Sequence, residues 1–117
     1  ITVDAYVWNP FGLSPDEHFA ITSSILDDAV THHDVQLVKA DKAEFYRSYS
    51  GPAPSLVFLD ADHSYEQTLL DIQWAQRVRA HVIALHDFAP EFPGVVRAVN
   101  ESGGSDELVG TLVTVRR

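Results

Sequence analysis

The densest chemistry in the chain sits behind two apolar runs. Asp60, Asp62 and His63 follow Ser55-Leu56-Val57-Phe58-Leu59, and Asp87 follows His81-Val82-Ile83-Ala84-Leu85-His86. Two carboxylates brought together by adjacent parallel strand ends can hold one hard cation, with histidine as a further ligand or as a proton acceptor. Without a cation or proton among them, such carboxylates would repel each other. A plainer role is open to the same residues: Asp62 and Ser64 capping the next helix, His63 and His86 filling polar loops. Asp4, after Ile1-Thr2-Val3, and Asp41, after Val35-Gln36-Leu37-Val38, also end predicted strands. Asp41 has the alternative of capping the helix behind it.

These residues need elements to position them. Ser14-Pro15-Asp16-Glu17 carries the capping-box spacing with proline at the first helical position, and predicts a helix running to His32-His33-Asp34. Phe19, Ile25, Leu26, Ala29 and Val30 would form its buried face. Asp41 and Glu44 repeat the capping spacing before a helix with Phe45, Tyr46 and Tyr49 on its apolar side. The continuous run Leu56 to Leu59 predicts a parallel strand buried on both faces. A helix from about Ser64 to Arg79 would bury Leu69, Leu70, Ile72, Trp74 and Val78 against a polar face that includes Asp71. The strand His81–His86 follows, then a short helix at Val95–Val99 and a final strand from Leu108 to Val115, with Gly110 as a bulge or break. Strands alternating with helices over short connections argue for an α/β fold with a mostly parallel sheet, its ligand site beyond the carboxyl ends of the strands.

Composition narrows the partners. Of 117 residues, 8 are Lys or Arg and 17 Asp or Glu, for a net charge of −9, so no basic surface exists to neutralise a phosphate backbone. Nucleic acid is therefore excluded as the expected partner. No apolar run nears the roughly 20 residues of a membrane span, and no secretory signal pattern opens the chain; a soluble, cytoplasmic protein is expected. There is no cysteine, hence no disulfide, thiolate nucleophile or sulfur metal site. Methionine is absent even at position 1, so an upstream segment is expected. No repeat or second domain stands out, and 1–117 reads as a single, partial domain.

Three stretches in order carry a resemblance: Ser55 to Glu66, Val82-Ile83-Ala84-Leu85-His86-Asp87-Phe88, and Phe92-Pro93-Gly94-Val95-Val96-Arg97-Ala98-Val99. Together they resemble the second half of a class I S-adenosylmethionine-dependent methyltransferase, nearest the small-molecule and sugar O-methyltransferases; Gly110 to Arg117 is similar to that family's closing strand. The resemblance implies a Rossmann-like sheet, mostly parallel, with helices on both faces. It implies that Asp4 binds the ribose of the methyl donor, that Asp41 lies beside its adenine, and that Asp60, His86 and Asp87 hold magnesium or another divalent metal. By the same resemblance His63 removes the proton from the hydroxyl of a small-molecule acceptor, which then attacks the sulfonium methyl.

The chain departs from that pattern in places. The family's first strand and glycine-rich donor loop have no counterpart among the six glycines, and in the family that strand lies between those corresponding to Ile1–Val3 and Leu56–Leu59. Val78-Arg79-Ala80 stands where Pro-Gly-Gly is usual, and Phe88 where catechol-type members have an amide metal ligand. These gaps support an alternative, a catalytically silent module serving assembly, which could form a homo-oligomer through open sheet edges. A third reading is a phosphatase, because an apolar strand before Asp-x-Asp is similar to haloacid-dehalogenase-type enzymes; there the pair normally sits near the start of the domain with a threonine two residues later, whereas here His63 follows and the strand is third in order.

Overall fold

The computed structural model describes residues 1–116, so Arg117 of the closing motif lies outside the described residues. The chain forms two compact units, one of Ile1–Ser50 and one from Gly51 onward. The α/β class holds for both.

In the first unit, β1 (Thr2–Asp4) pairs in parallel with β2 (Leu37–Lys39), Val3 opposite Val38. Between them run α1 (Pro15–Ile25) and α2 (Asp27–His32), and α3 (Lys42–Ser48) follows β2. The α1 start is the expected capping box: the Ser14 hydroxyl accepts from the Glu17 N–H, and the Glu17 carboxylate accepts from the Ser14 N–H at 2.8 Å. The Ser14 hydroxyl, donating to the same carboxylate at 2.7 Å, and the Ser14 N–H together hold the Glu17 carboxyl below its usual range.

Two expectations fail in this unit. The single long helix is broken at Leu26, which ends α1 and begins α2. Its expected apolar face is also not buried: Ile25 and Val30 are exposed, and none of the three helices buries a residue fully. A two-stranded sheet is too narrow to cover them. The one buried side chain is Tyr6, with the rings of His18 and Phe19 edge-on at 5.1 and 5.2 Å.

The second unit holds β3 (Leu56–Leu59), α4 (Tyr65–Arg77), β4 (Val82–Leu85), α5 (Pro93–Glu101), β5 (Ser105–Val109) and β6 (Leu112–Val115), with the strands in the order β3-β4-β6-β5. Here the sheet departs from the mostly parallel expectation. β3 and β4 are parallel, whereas β6 runs antiparallel to both β4 and β5. The cause is local: the predicted final strand is a hairpin, with Val109 opposite Leu112 and Gly110 at φ 61° in the turn. Glycine adopts that left-handed conformation without steric cost, and a two-residue turn reverses the chain.

Register shows where the core lies. Val57, Leu59, Ile83, Leu85, Val113 and Val115 share one face by pairing and alternation, and all but half-buried Leu59 are buried. Ile72, Trp74 and Ala75 of α4 and Val95, Ala98 and Val99 of α5 complete the core. The other face carries Leu56, Phe58, Val82 and Leu112, all exposed, so β3 is covered on one face and not, as its run of apolar residues predicts, on both. In α4 the buried stripe is Thr68, Asp71, Ile72 and Ala75 with Trp74, while Leu70 is exposed; apolar character alone misplaced the face by part of a turn.

At the end of α4, the Ala80 N–H reaches the Ala75 carbonyl and the Arg79 N–H the Gln76 carbonyl, with Arg79 at φ 60°. This is a Schellman cap. It lies where the resembled family carries glycine, and it puts arginine in a conformation that costs a non-glycine residue roughly 1 kcal/mol.

Candidate active site at the β3 and β4 strand ends

Because β3 and β4 are parallel neighbours, their carboxyl ends deliver Asp60 and Asp87 side by side. Asp60 directly follows Leu59, and Asp87 lies two residues past Leu85. The His86 N–H donates to the Leu59 carbonyl at 3.2 Å, extending the ladder one residue beyond the strands. Asp87 then takes φ 59°, a left-handed conformation uncommon outside glycine that aspartate tolerates better than most residues. Chain reversal at Asp87 is secured by the Ala89 N–H donating to the Asp87 carbonyl and the Phe88 N–H to the Thr111 carbonyl, both at 2.9 Å.

Two imidazoles flank the carboxylates. His63 Nε2 lies 2.9 Å from Asp87 Oδ2 and 3.8 Å from Asp60 Oδ1, while His86 Nδ1 lies 2.9 Å from Asp87 Oδ1 and 3.9 Å from the same Asp60 oxygen. Asp87 is the most enclosed of the four, its side chain 20% exposed. One ligand atom each from Asp60, His63 and Asp87 lies within 4.8 Å of the other two. That donor set, two carboxylates with imidazole nitrogen, suits a divalent cation of intermediate hardness.

The cluster opens on a small cleft enclosing about 10 Å³, lined by Asp60, His63, Thr68, Asp71 and His86 among others. That is room for about one water-sized group. Asp71 is 3% exposed although its charge predicts the solvent face of α4. The signal was available: Thr68, Asp71, Ile72 and Ala75 follow the i, i+3, i+4, i+7 spacing of one helical stripe.

The region around His63 is tightly set. Phe92 stacks its ring 4.6 Å from the imidazole, tilted by 37°. A Cβ built on Gly94 would stand 2.5 Å from the His63 carbonyl oxygen and 2.6 Å from the Tyr65 backbone nitrogen, so only glycine lets the first turn of α5 approach the entry to α4. We therefore expect Gly94→Ala to cost roughly 1–3 kcal/mol, the usual range for overpacking, in urea unfolding, and to move the His63 ring signals in NMR. An alanine variant of native stability and unchanged His63 shifts would contradict this role. Nearby, Tyr65 donates to Glu101, and Arg97 stacks 3.9 Å from the Tyr65 ring while bonding Glu101. The hydrogen bond to Glu101 raises the Tyr65 hydroxyl above its usual pKa, and bonds from Tyr65 and Arg97 hold the Glu101 carboxyl down.

Comparison with protein families, with curated proteins and with solved structures finds no match for this chain.

The remaining sequence-identified residues make local backbone contacts, Asp62 at the cleft and Asp4 and Asp41 in the first unit. The Asp62 carboxylate accepts the Ser64 N–H at 2.7 Å and its carbonyl accepts the Thr68 hydroxyl, so it shapes the entry to α4. Asp4 and Asp41 belong to the first unit, at the carboxyl ends of β1 and β2. Asp4 accepts the Tyr6 N–H at 2.6 Å, and Asp41 caps α3 through the N–H groups of Ala43 and Glu44. Asp41 thus fills the helix-capping role that its position allows.

Proposed function

We propose that this chain transfers a methyl group from S-adenosylmethionine to a hydroxyl of a small molecule, assisted by a divalent cation. The observation that carries this reading is the convergence of Asp60, Asp87 and both imidazoles at two adjacent strand ends. Asp60 and Asp87, with an imidazole nitrogen, would hold magnesium or manganese, which when bound lowers the pKa of a hydroxyl it contacts. His63 takes the hydroxyl proton at Nδ1, the nitrogen left as acceptor when Nε2–H is turned to Asp87 at 2.9 Å. Phe92 and Gly94 hold the imidazole in place from the side of α5. In the first unit, the Asp4 carboxylate, anchored by the Tyr6 N–H, is an acceptor for the ribose diol of the donor, and Asp41 lies beside the adenine.

A second reading is a silent methyltransferase-like module. It draws support from Asp4 and Asp41, each of which uses carboxylate oxygen on local backbone N–H groups. The phosphatase reading has less behind it, because the Asp62 carboxylate is committed to the Ser64 N–H. No helix among the described residues is long and apolar enough to cross a membrane, and the methyltransferase reading carries a cytoplasmic setting with it.

The deciding experiment is calorimetric titration with S-adenosylmethionine and S-adenosylhomocysteine, in excess magnesium or manganese and again in chelator. Micromolar donor binding that weakens in Asp4→Ala, with cation binding lost in Asp87→Asn, is the expected result. A folded sample that binds neither donor nor cation would retire the enzyme reading in favour of the silent module.

A further inference from the structure

Thr111 lies in the two-residue turn between β5 and β6, directly after Gly110, yet it reaches both neighbours of Asp87. Its carbonyl accepts the Phe88 N–H at 2.9 Å, and its hydroxyl lies 3.5 Å from His86 Nε2. The pairing of Leu85 with Val113 brings it there, because an antiparallel register continued by two residues sets Thr111 opposite Asp87. The carbonyl fixes the main chain just past the left-handed turn at Asp87. The hydroxyl faces the outer nitrogen of a ring whose other nitrogen, Nδ1, is 2.9 Å from Asp87 Oδ1 and 3.9 Å from Asp60 Oδ1. His86 thus stands between one hydroxyl and the two carboxylates of the strand-end cluster. At 3.5 Å the hydroxyl contact is a long one, but the His86 side chain is 46% exposed, so little packing opposes a closer approach.

We propose, on the reading of this cluster as a cation site, that Thr111 is a positioning residue: its hydroxyl orients the His86 imidazole so that Nδ1 serves Asp87 in the cation-free protein and the cation once one is bound. A neutral imidazole has one N–H and one lone pair. With no cation, the nitrogen beside Asp87 carries the N–H, because a lone pair 2.9 Å from a carboxylate oxygen would be repelled. Nε2 is then the acceptor, and the Thr111 hydroxyl donates to it. A bound cation takes the Nδ1 lone pair instead, and the ring carries its proton on Nε2 after exchange through solvent. That N–H needs an acceptor, since ligating histidines nearly always donate their second ring N–H to an oxygen. A hydroxyl accepts as well as donates, so one side chain supports both tautomers. An ionised carboxylate in its place would serve only the second, and an ammonium group only the first.

Calorimetric titration of the full chain with manganese chloride tests this in the parent, in Thr111→Val and in Thr111→Ser. Thr111 is exposed, and valine keeps its shape and the carbonyl that holds Phe88, so the urea midpoint and far-UV circular dichroism of Thr111→Val should match the parent. Its manganese affinity is expected to fall about 10- to 100-fold, the usual cost of losing the partner of a ligating histidine, and to recover to within a few-fold in Thr111→Ser. The cation-free protein supplies a readout that packing alone would not move. At about pH 8, above the ordinary histidine pKa, the 15N NMR signal of His86 Nε2 should shift in Thr111→Val and return in Thr111→Ser, while Nδ1 keeps its place. Equal manganese affinity in the parent and Thr111→Val, a serine variant no tighter than the valine one, or an Nε2 signal indifferent to the hydroxyl would overturn the role of Thr111 and leave the cation reading standing. A parent chain that binds no manganese would overturn both.

Discussion

On the proposed function, methyl transfer by the His63→Gln variant is expected to fall by about 10²- to 10⁴-fold, the range attributable to a positioned general base, with cation affinity kept within a few-fold. Glutamine is similar in reach and can still hydrogen-bond Asp87, but it cannot accept a proton near neutral pH. The two readouts matter because His63 Nε2 is 2.9 Å from Asp87 and lies with Asp60 and Asp87 in one ligand-sized cluster. If His63 chiefly ligated the cation, affinity and rate would fall together. If it only packed on Phe92, neither would change. His86→Gln gives the complementary result. Its Nδ1 lies equally close to Asp87, but the Nε2 side lies 3.5 Å from the Thr111 hydroxyl, so its loss should lower cation affinity more than the rate at saturating cation.

The largest effect on stability is expected from Ile72→Ala, at about 2–5 kcal/mol. Ile72 is 0% exposed in the middle of α4, where the removed atoms leave a cavity against close-packed neighbours that relax only partly. Against the roughly 5–15 kcal/mol of an ordinary domain, such a loss brings the second unit near its unfolding threshold. Trp74, 6% exposed and two residues further along α4, reports the transition by fluorescence, while Trp8 is 82% exposed and changes little on unfolding. Leu70→Ala is the control: that side chain is 52% exposed, and its loss should stay within about 0.5 kcal/mol. Equal urea midpoints for the two variants would show that α4 does not bury the stripe described above.

Much of the site was legible from residue order. Asp60 and Asp87 each follow an apolar run, and two such runs separated by a helix make parallel neighbours, so their convergence follows from the right-handed crossover that connects parallel strands. The capping box at Ser14 and Glu17 was legible for a similar reason, since its hydrogen bonds span only three residues. Asp71 was not read correctly, because charge was weighed above helical spacing. Nor was the part played by Gly94: the need for glycine there arises from a backbone about thirty residues earlier, which no local pattern encodes.

By itself, then, the sequence determined the alternation of strands and helices, the acids and histidines at strand ends, the caps, and the exclusion of basic-patch and thiol chemistry. These rest on interactions within a few residues or on composition. Only the tertiary structure decided the antiparallel course of β6, the uncovered face of β3, the break at Leu26, the burial of Asp71 and which imidazole nitrogens reach Asp87. Each of these depends on what packs across the chain at long range, where the same apolar residue can face a helix or water and the same aspartate can cap, coordinate or line a cleft.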